Sequence, residues 1–194
     1  MTLDESHETI RRLDGELWLP PEAIYPPPDE DGHIRETFAF YGLAMAKVQQ
    51  LEMGAINLLV MARIVNARPK AEEIVGNPWE PLLKETLGKL VRRLKPYLER
   101  DPQFVTDLED ALKIRNMLAH AYFNVRCEEV LSFAGRNQML LELQGIHVRM
   151  ESLADRLRKA CEPYRRSAGY PDELEDALME QTLREAADRD SARR

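Results

Sequence analysis

At 194 residues and 44% hydrophobic side chains, the chain can bury a sizeable core, and the expectation is one soluble domain with appended ends. No run of about 18 apolar residues lacks a charged or polar interruption, the opening MTLDESHETIRR is acidic and polar, and Cys127 and Cys161 form no CxxC pair. No membrane span or signal peptide is therefore expected, a disulfide framework or a thiolate zinc site has no sequence support, and a reduced, cytoplasmic setting is expected. The formal charge of -7 is unevenly placed. Residues 1 to 32 hold nine acids and two arginines, residues 172 to 194 hold eight acids and four arginines, and residues 33 to 171 are left with 17 acidic and 21 basic side chains. A surface patch of positive sign can attract phosphate, although single lysine or arginine clusters on helices are more often simply solvated.

In chain order, residues 19 to 32, LPPEAIYPPPDEDG, carry five prolines and four acids, which predicts an extended, polyproline-like arm. From about Ile34 to Ala67 the period changes. Tyr41, Ala44, Val48, Leu51, Ala55, Leu58, Ala62 and Val65 alternate three and four apart, while Phe40, Leu43, Ile56, Leu59 and Val60 broaden the stripe. A long helix buried on more than one side is expected, inside a bundle or against a partner chain. Asn77-Pro78 and Asp101-Pro102 each place a capping side chain before a proline whose missing N–H is harmless in a first helical turn. They predict helices starting near 78 and 102. The first runs toward Pro96, and the second runs through Phe104, Leu108, Ala111, Leu112, Leu118, Ala119 and Tyr122. A last long helix is expected over about 136 to 163 on Met139, Leu140, Leu143, Ile146, Met150, Leu153 and Leu157, then a short acidic helix over about 172 to 188. No strand-like alternation stands out. The fold class read from this is all-α, an antiparallel up-down helical bundle over 33–168, with an acidic Pro-rich arm over 1–32 and an acidic helix or tail over 169–194.

The segment Arg115 to Phe123, RNMLAHAYF, puts an arginine, an amide and an imidazole into a run that otherwise reads as helix core. Buried charge needs a partner, so these groups require either structural partners or a task. Asn116 and His120 share a helix face, while Arg115 is about 140° from His120 around the axis. Their chemistry suits RNA cleavage by the RNA's own 2'-hydroxyl. An imidazole moves a proton near neutral pH, a guanidinium binds phosphate and its developing charge, and an amide orients either. No metal or other cofactor is required, because the nucleophile belongs to the substrate.

With its polar residue after the arginine and its preceding run LEDALKI, this segment resembles the motif of the HEPN domains, an arginine, a polar residue and a histidine four to six positions beyond the arginine. Arg115, Asn116 and His120 fit the form with four residues between arginine and histidine. The resemblance covers about residues 35 to 162 and implies a helical bundle. It also implies a metal-independent endoribonuclease, often a toxin or defence effector, that works as a homodimer with motifs from two chains in one cleft. By resemblance His120 is the acid/base, Arg115 the phosphate binder and Asn116 the orienting group, with RNA as substrate and an antitoxin or other inhibitory partner in view. Some members are not catalytic and bind RNA or protein instead.

Structural roles stand beside these. Arg115 can pair with Asp107, Glu109, Asp110 or a neighbouring helix, Asn116 can bridge backbone, and His120 can bond a carbonyl near a helix end. Tyr122 and Phe123 continue the apolar pattern and read as packing. A third reading is a purely structural dimer joined along the Tyr41 to Val65 stripe. His147 and Glu151 are spaced to share a metal but suggest no third ligand. Arg92, Arg93, Lys95, Arg126 and Arg136 are candidates to guide RNA, with a solvated surface as the simpler role. His7 and His33 lie in polar sequence and suggest nothing. Either acidic end is a candidate to cover the basic middle, ordinary solubilising tails being the simpler reading.

Overall fold

A computed structural model describes residues 30–67, 77–170 and 172–191, with the side chains of Glu30, residues 172–179 and Asp190 left aside. The described residues are mostly helical with no strand among them, an all-α fold. Two long helices, α1 (Glu30–Ala67) and α6 (Phe133–Ser167), form its spine. Between them come α2 (Glu80–Leu83), α3 (Leu87–Leu94), a 3-10 turn (Lys95–Tyr97), α4 (Pro102–His120), α5 (Tyr122–Val125) and a second 3-10 turn (Glu129–Leu131). Helix α7 (Asp172–Ser191) follows.

The direction of each helix is fixed by its side-chain contacts. His33 meets Asn137 at 3.0 Å and Lys47 meets Glu151 at 2.8 Å, a constant separation of 104 in sequence, so α1 and α6 run parallel. The Tyr41 hydroxyl donates to the Leu118 carbonyl and Glu52 faces Arg115, while Arg149 reaches Asp110 and Arg156 reaches Asp107. Helix α4 is therefore antiparallel to both. The expectation of antiparallel neighbours needs this amendment: the main packing partners, α1 and α6, point the same way because the chain returns along α4 between them.

The predicted stripe on α1 is the core. Ala44, Val48, Leu51, Ala55, Leu58 and Ala62 are all buried, packed with Met139, Leu143, Ile146, Met150, Leu153 and Leu157 of α6. This stripe is consumed inside the chain, which removes it as the interface of a structural dimer. Leu43, by contrast, is exposed. Fully burying a leucine or valine is worth about 1.5–3 kcal/mol, so this face carries the main apolar stabilisation.

Several boundaries differ from the sequence reading. Residues 1–29 lie outside the described residues, as does most of the Pro-rich arm, but residues 30–32 are already helical. The single helix expected from 78 breaks after α2, where Thr86 is extended at ψ 154°. In one continuous helix Leu83 would share a face with Leu87; the break buries Leu82 instead and leaves Leu83 exposed. Asn77 bonds the Trp79 N–H through its Oδ1 at 3.0 Å, a turn contact rather than a helix cap. Helix α6 starts three residues before the expected 136, capped by Ser132, and continues past Pro163. Gly135 in its first turn has no substitute: a Cβ there would lie 2.3 Å from the Glu129 carbonyl oxygen. Two residues past the end of the helix stands Gly169, whose φ of 77° is in the left-handed region, with Tyr170 N–H returning to the Arg165 carbonyl and Gly169 N–H to Arg166.

The start of α4 matches its sequence signal. Asp101 accepts from the Phe104 N–H at 3.0 Å and Pro102 occupies the first turn. Arg156 of α6 bonds Asp101 at 3.0 Å and Asp107 at 2.5 Å, with its guanidinium 4.0 Å over the Phe104 ring. The backbone bond from Phe104, then Arg156, holds the Asp101 carboxyl below the usual carboxylate range. Burial works against the Arg156 charge, but its bonds to Asp107 and Asp101 outweigh that and raise its pKa.

Candidate functional site

The motif falls on the last two turns of α4, where the first residue after the helix, Ala121, departs from helical geometry at φ -136°. Its N–H still closes on the Met117 carbonyl at 2.9 Å, and the chain re-enters a short helix at once. That change of direction sends Tyr122 inward and Phe123 sideways. The Tyr122 hydroxyl donates to Glu142 at 3.1 Å, and the Phe123 ring lies 4.9 Å from Tyr41 and 5.0 Å from Phe38. Tyr122 is core, as its pattern suggests. Phe38, 49% exposed, carries an aromatic face to the surface beside it.

His120 is exposed and makes no hydrogen bond or ion pair among the described residues. The carbonyl partner that a structural histidine would take at a helix end is therefore not used, and the ring is open to a ligand. Asn116 is half-buried one turn earlier on the same face and accepts from Arg115 Nη1 at 3.3 Å. Arg115 leans the other way. Its Nε lies 3.4 Å from Glu52 Oε1, with 30% of the arginine side chain and 26% of the glutamate side chain exposed. The pair is long and wet, in the range where an ion pair is worth under about 1 kcal/mol.

The site so built contains a free imidazole, an amide touching a guanidinium, and a carboxylate that competes for that guanidinium. A phosphate at Arg115 would exchange a partly solvated carboxylate for a doubly bonding anion. Asp107, Glu109 and Asp110, the partners considered for Arg115 on its own helix, are instead matched by Arg156, Lys95 and by Arg149 with Lys113. Glu52 carried no sequence signal, since its polar position on α1 is ordinary; only the antiparallel crossing of α1 and α4 brings it to Arg115.

Two of the residues considered as RNA guides are structural. Arg126 and Arg136 are buried, at 8% and 1% exposure. Arg126 bonds Glu142 and Glu129, each at 3.1 Å, and Arg136 donates to the Val130 carbonyl at 3.0 Å and to His33 Nδ1 at 3.3 Å. His33, which suggested nothing in sequence, is fully buried; with Arg136 donating to Nδ1, its Nε2 carries the hydrogen for Asn137 Oδ1. Its ring also lies 4.3 Å from Phe133. Arg93 and Lys95 are exposed but engaged by Glu85 and Glu109, and Arg92 bonds the Gly88 carbonyl.

No metal cluster forms among the described residues. Glu151 is held by Lys47, whose hydrogen bond lowers its pKa, and His147 Nε2 stands 3.8 Å from it. Cys127 is exposed and Cys161 buried, and neither forms a disulfide. No helix is long and apolar enough to cross a membrane among the described residues. No family model matches the chain, and no curated protein or solved structure is significantly similar to it.

Proposed function

We propose that this chain is a metal-independent endoribonuclease of HEPN type, acting as a toxin or defence effector, in which two copies bring their Arg115, Asn116 and His120 together in one cleft. The observation that carries this reading is the exposed His120, without a hydrogen-bond or ion-pair partner among the described residues and on one helix end with Arg115 and Asn116. His120 takes the proton of a 2'-hydroxyl or delivers one to the leaving oxygen, Arg115 binds the phosphate, and Asn116 holds the guanidinium in register. Both protein and RNA partners follow from this. An isologous dimer places each motif across a two-fold axis from its copy, and an acidic antitoxin or other inhibitor would complement the positive middle of the chain.

A second reading is favoured by one contact. Glu52 beside Arg115 weakens the case for a strong phosphate site, and a non-catalytic helical module that binds RNA or protein at the same place would tolerate that carboxylate.

One experiment separates the two. Purified protein and His120→Ala are incubated with a labelled, structured RNA in EDTA, and the fragment ends are analysed. Ends bearing 2',3'-cyclic phosphate from the native protein alone are the expected result, with loss of about 10²–10⁴ in rate for the variant. Equal cleavage by both would overturn the assignment of His120, and saturable binding without scission would favour the module.

A further inference from the structure

Away from the motif, the last turns of α1 meet α2 and the Lys95–Tyr97 turn around a cleft of about 420 Å³. Sites for small organic ligands occupy roughly 300–1,000 Å³ and are largely apolar with a few polar groups that fix orientation. This cleft has that composition. Leu59 and Leu82 contribute to its apolar lining, Tyr97 stands at one side, and Arg63 and Arg93 contribute two guanidiniums. Among the described residues no carboxylate lines it.

The two arginines differ in commitment. Arg93 is bonded to Glu85 at 2.5 Å, whereas Arg63 is exposed and has no ion-pair partner among the described residues. Among the described residues the cleft is thus positive on balance, with Arg63 left for a ligand. Tyr97 is held edge-on against Tyr164, their rings 6.3 Å apart, so its ring is a fixed wall. A guanidinium matches phosphate in a planar, two-point geometry that a point charge lacks, while a tyrosine and two leucines suit a flat ring.

We propose that this cleft binds a nucleotide-sized phosphate monoester, its ring on Leu59 and Leu82 beside Tyr97 and its phosphate on Arg63 and Arg93. Arg63 lies eleven residues beyond Glu52 on α1, about 16 Å along the axis, so this is a separate site and stands whether or not the chain cuts RNA. The same chemistry is offered by a free nucleotide and by the 5'-phosphorylated end of an RNA.

The test is calorimetric titration of the full chain with adenosine 5'-monophosphate, with adenosine as the uncharged control. A single saturable site is expected, with adenosine bound at least about tenfold more weakly and Arg63→Gln reducing affinity by a similar factor. Ala67→Trp, placed at the exposed mouth of the cleft, is a second variant and should abolish binding while helical circular dichroism is unchanged. A 5'-phosphorylated tetranucleotide distinguishes the sources: tighter binding than the mononucleotide assigns the cleft to an RNA end, and equal or weaker binding assigns it to a free nucleotide. No saturable binding at millimolar nucleotide, equal affinity for adenosine, or indifference to both substitutions would overturn the proposal.

Discussion

At its N-terminal end, α4 is tied down by closed sets of polar groups: Asp101 caps the first turn, and Arg156 joins Asp101 to Asp107 across the Phe104 ring. Nineteen residues later, at its C-terminal end, the same helix carries Arg115 on two long contacts, to Glu52 and to its neighbour Asn116, and His120 on no hydrogen bond or ion pair among the described residues. The two ends share a helix and a solvent, yet only one uses its polar side chains to fix the neighbouring helix. Polar groups that hold a fold are found in satisfied sets, because an unsatisfied one costs about 1–3 kcal/mol when buried. Those left open at a half-exposed end are affordable only because water serves them, and so are available to a ligand.

The strongest way to break this contrast lies just beyond the open end, in the buried set that anchors Tyr122 and Arg126. Glu142→Ala removes the acceptor of both and should lower unfolding free energy by about 3 kcal/mol in urea denaturation. A change under about 0.5 kcal/mol would show that the set does not hold the end of α4 in place. Next in size is Asp101→Ala, which removes the cap and should lower the urea midpoint at pH 7. Because the Asp101 pKa is lowered in the folded state, its contribution is present at neutral pH and fades as pH falls below about 4, the unfolded value. Native and variant stabilities should therefore converge in acid; a gap that widens there would contradict the sign.

At the other end of α4 the expected effects on stability are small. His120→Ala should change unfolding free energy by less than about 0.5 kcal/mol, whatever it does to activity, because the side chain is exposed and makes no hydrogen bond or ion pair among the described residues. A large loss of stability would reassign His120 to the structural class. Glu52→Gln is the finest probe. It should leave stability within about 0.5 kcal/mol and raise RNA affinity by releasing Arg115, and weaker RNA binding would instead make Glu52 a group that positions the arginine.

Much of the scaffold was legible in sequence because it depends on period and local chemistry. The α1 stripe and the Met139 to Leu157 series repeat every three or four residues, and Asp101-Pro102 announces a helix start within four residues of chain. What stayed hidden depends on partners far along the chain. His33 finds Arg136 and Asn137 more than 100 residues away, and nothing near it in sequence distinguishes it from a surface histidine. Arg126 and Arg136 read as surface charge for the same reason. The break between α2 and α3 was hidden because Leu83, Leu87, Leu90 and Leu94 form a good helical face on their own; the fold buries Leu82 and rephases the chain. At the motif, the three residue types and their spacing were legible, whereas Glu52, which sets the electrostatics of Arg115, was not.

The parallel course of α1 and α6 has a consequence for anything attached to the bundle. Residue 30 begins α1 at the pole where Phe133 begins α6, and residue 167 ends α6 at the opposite pole, about 50 Å away along a 35-residue helix. Joining these two points to make a circular permutant would require a linker of at least about 15 extended residues. Fusions placed before α1 and after α6 would therefore project from opposite ends, and a donor and acceptor dye pair at those positions would report the full length of the spine.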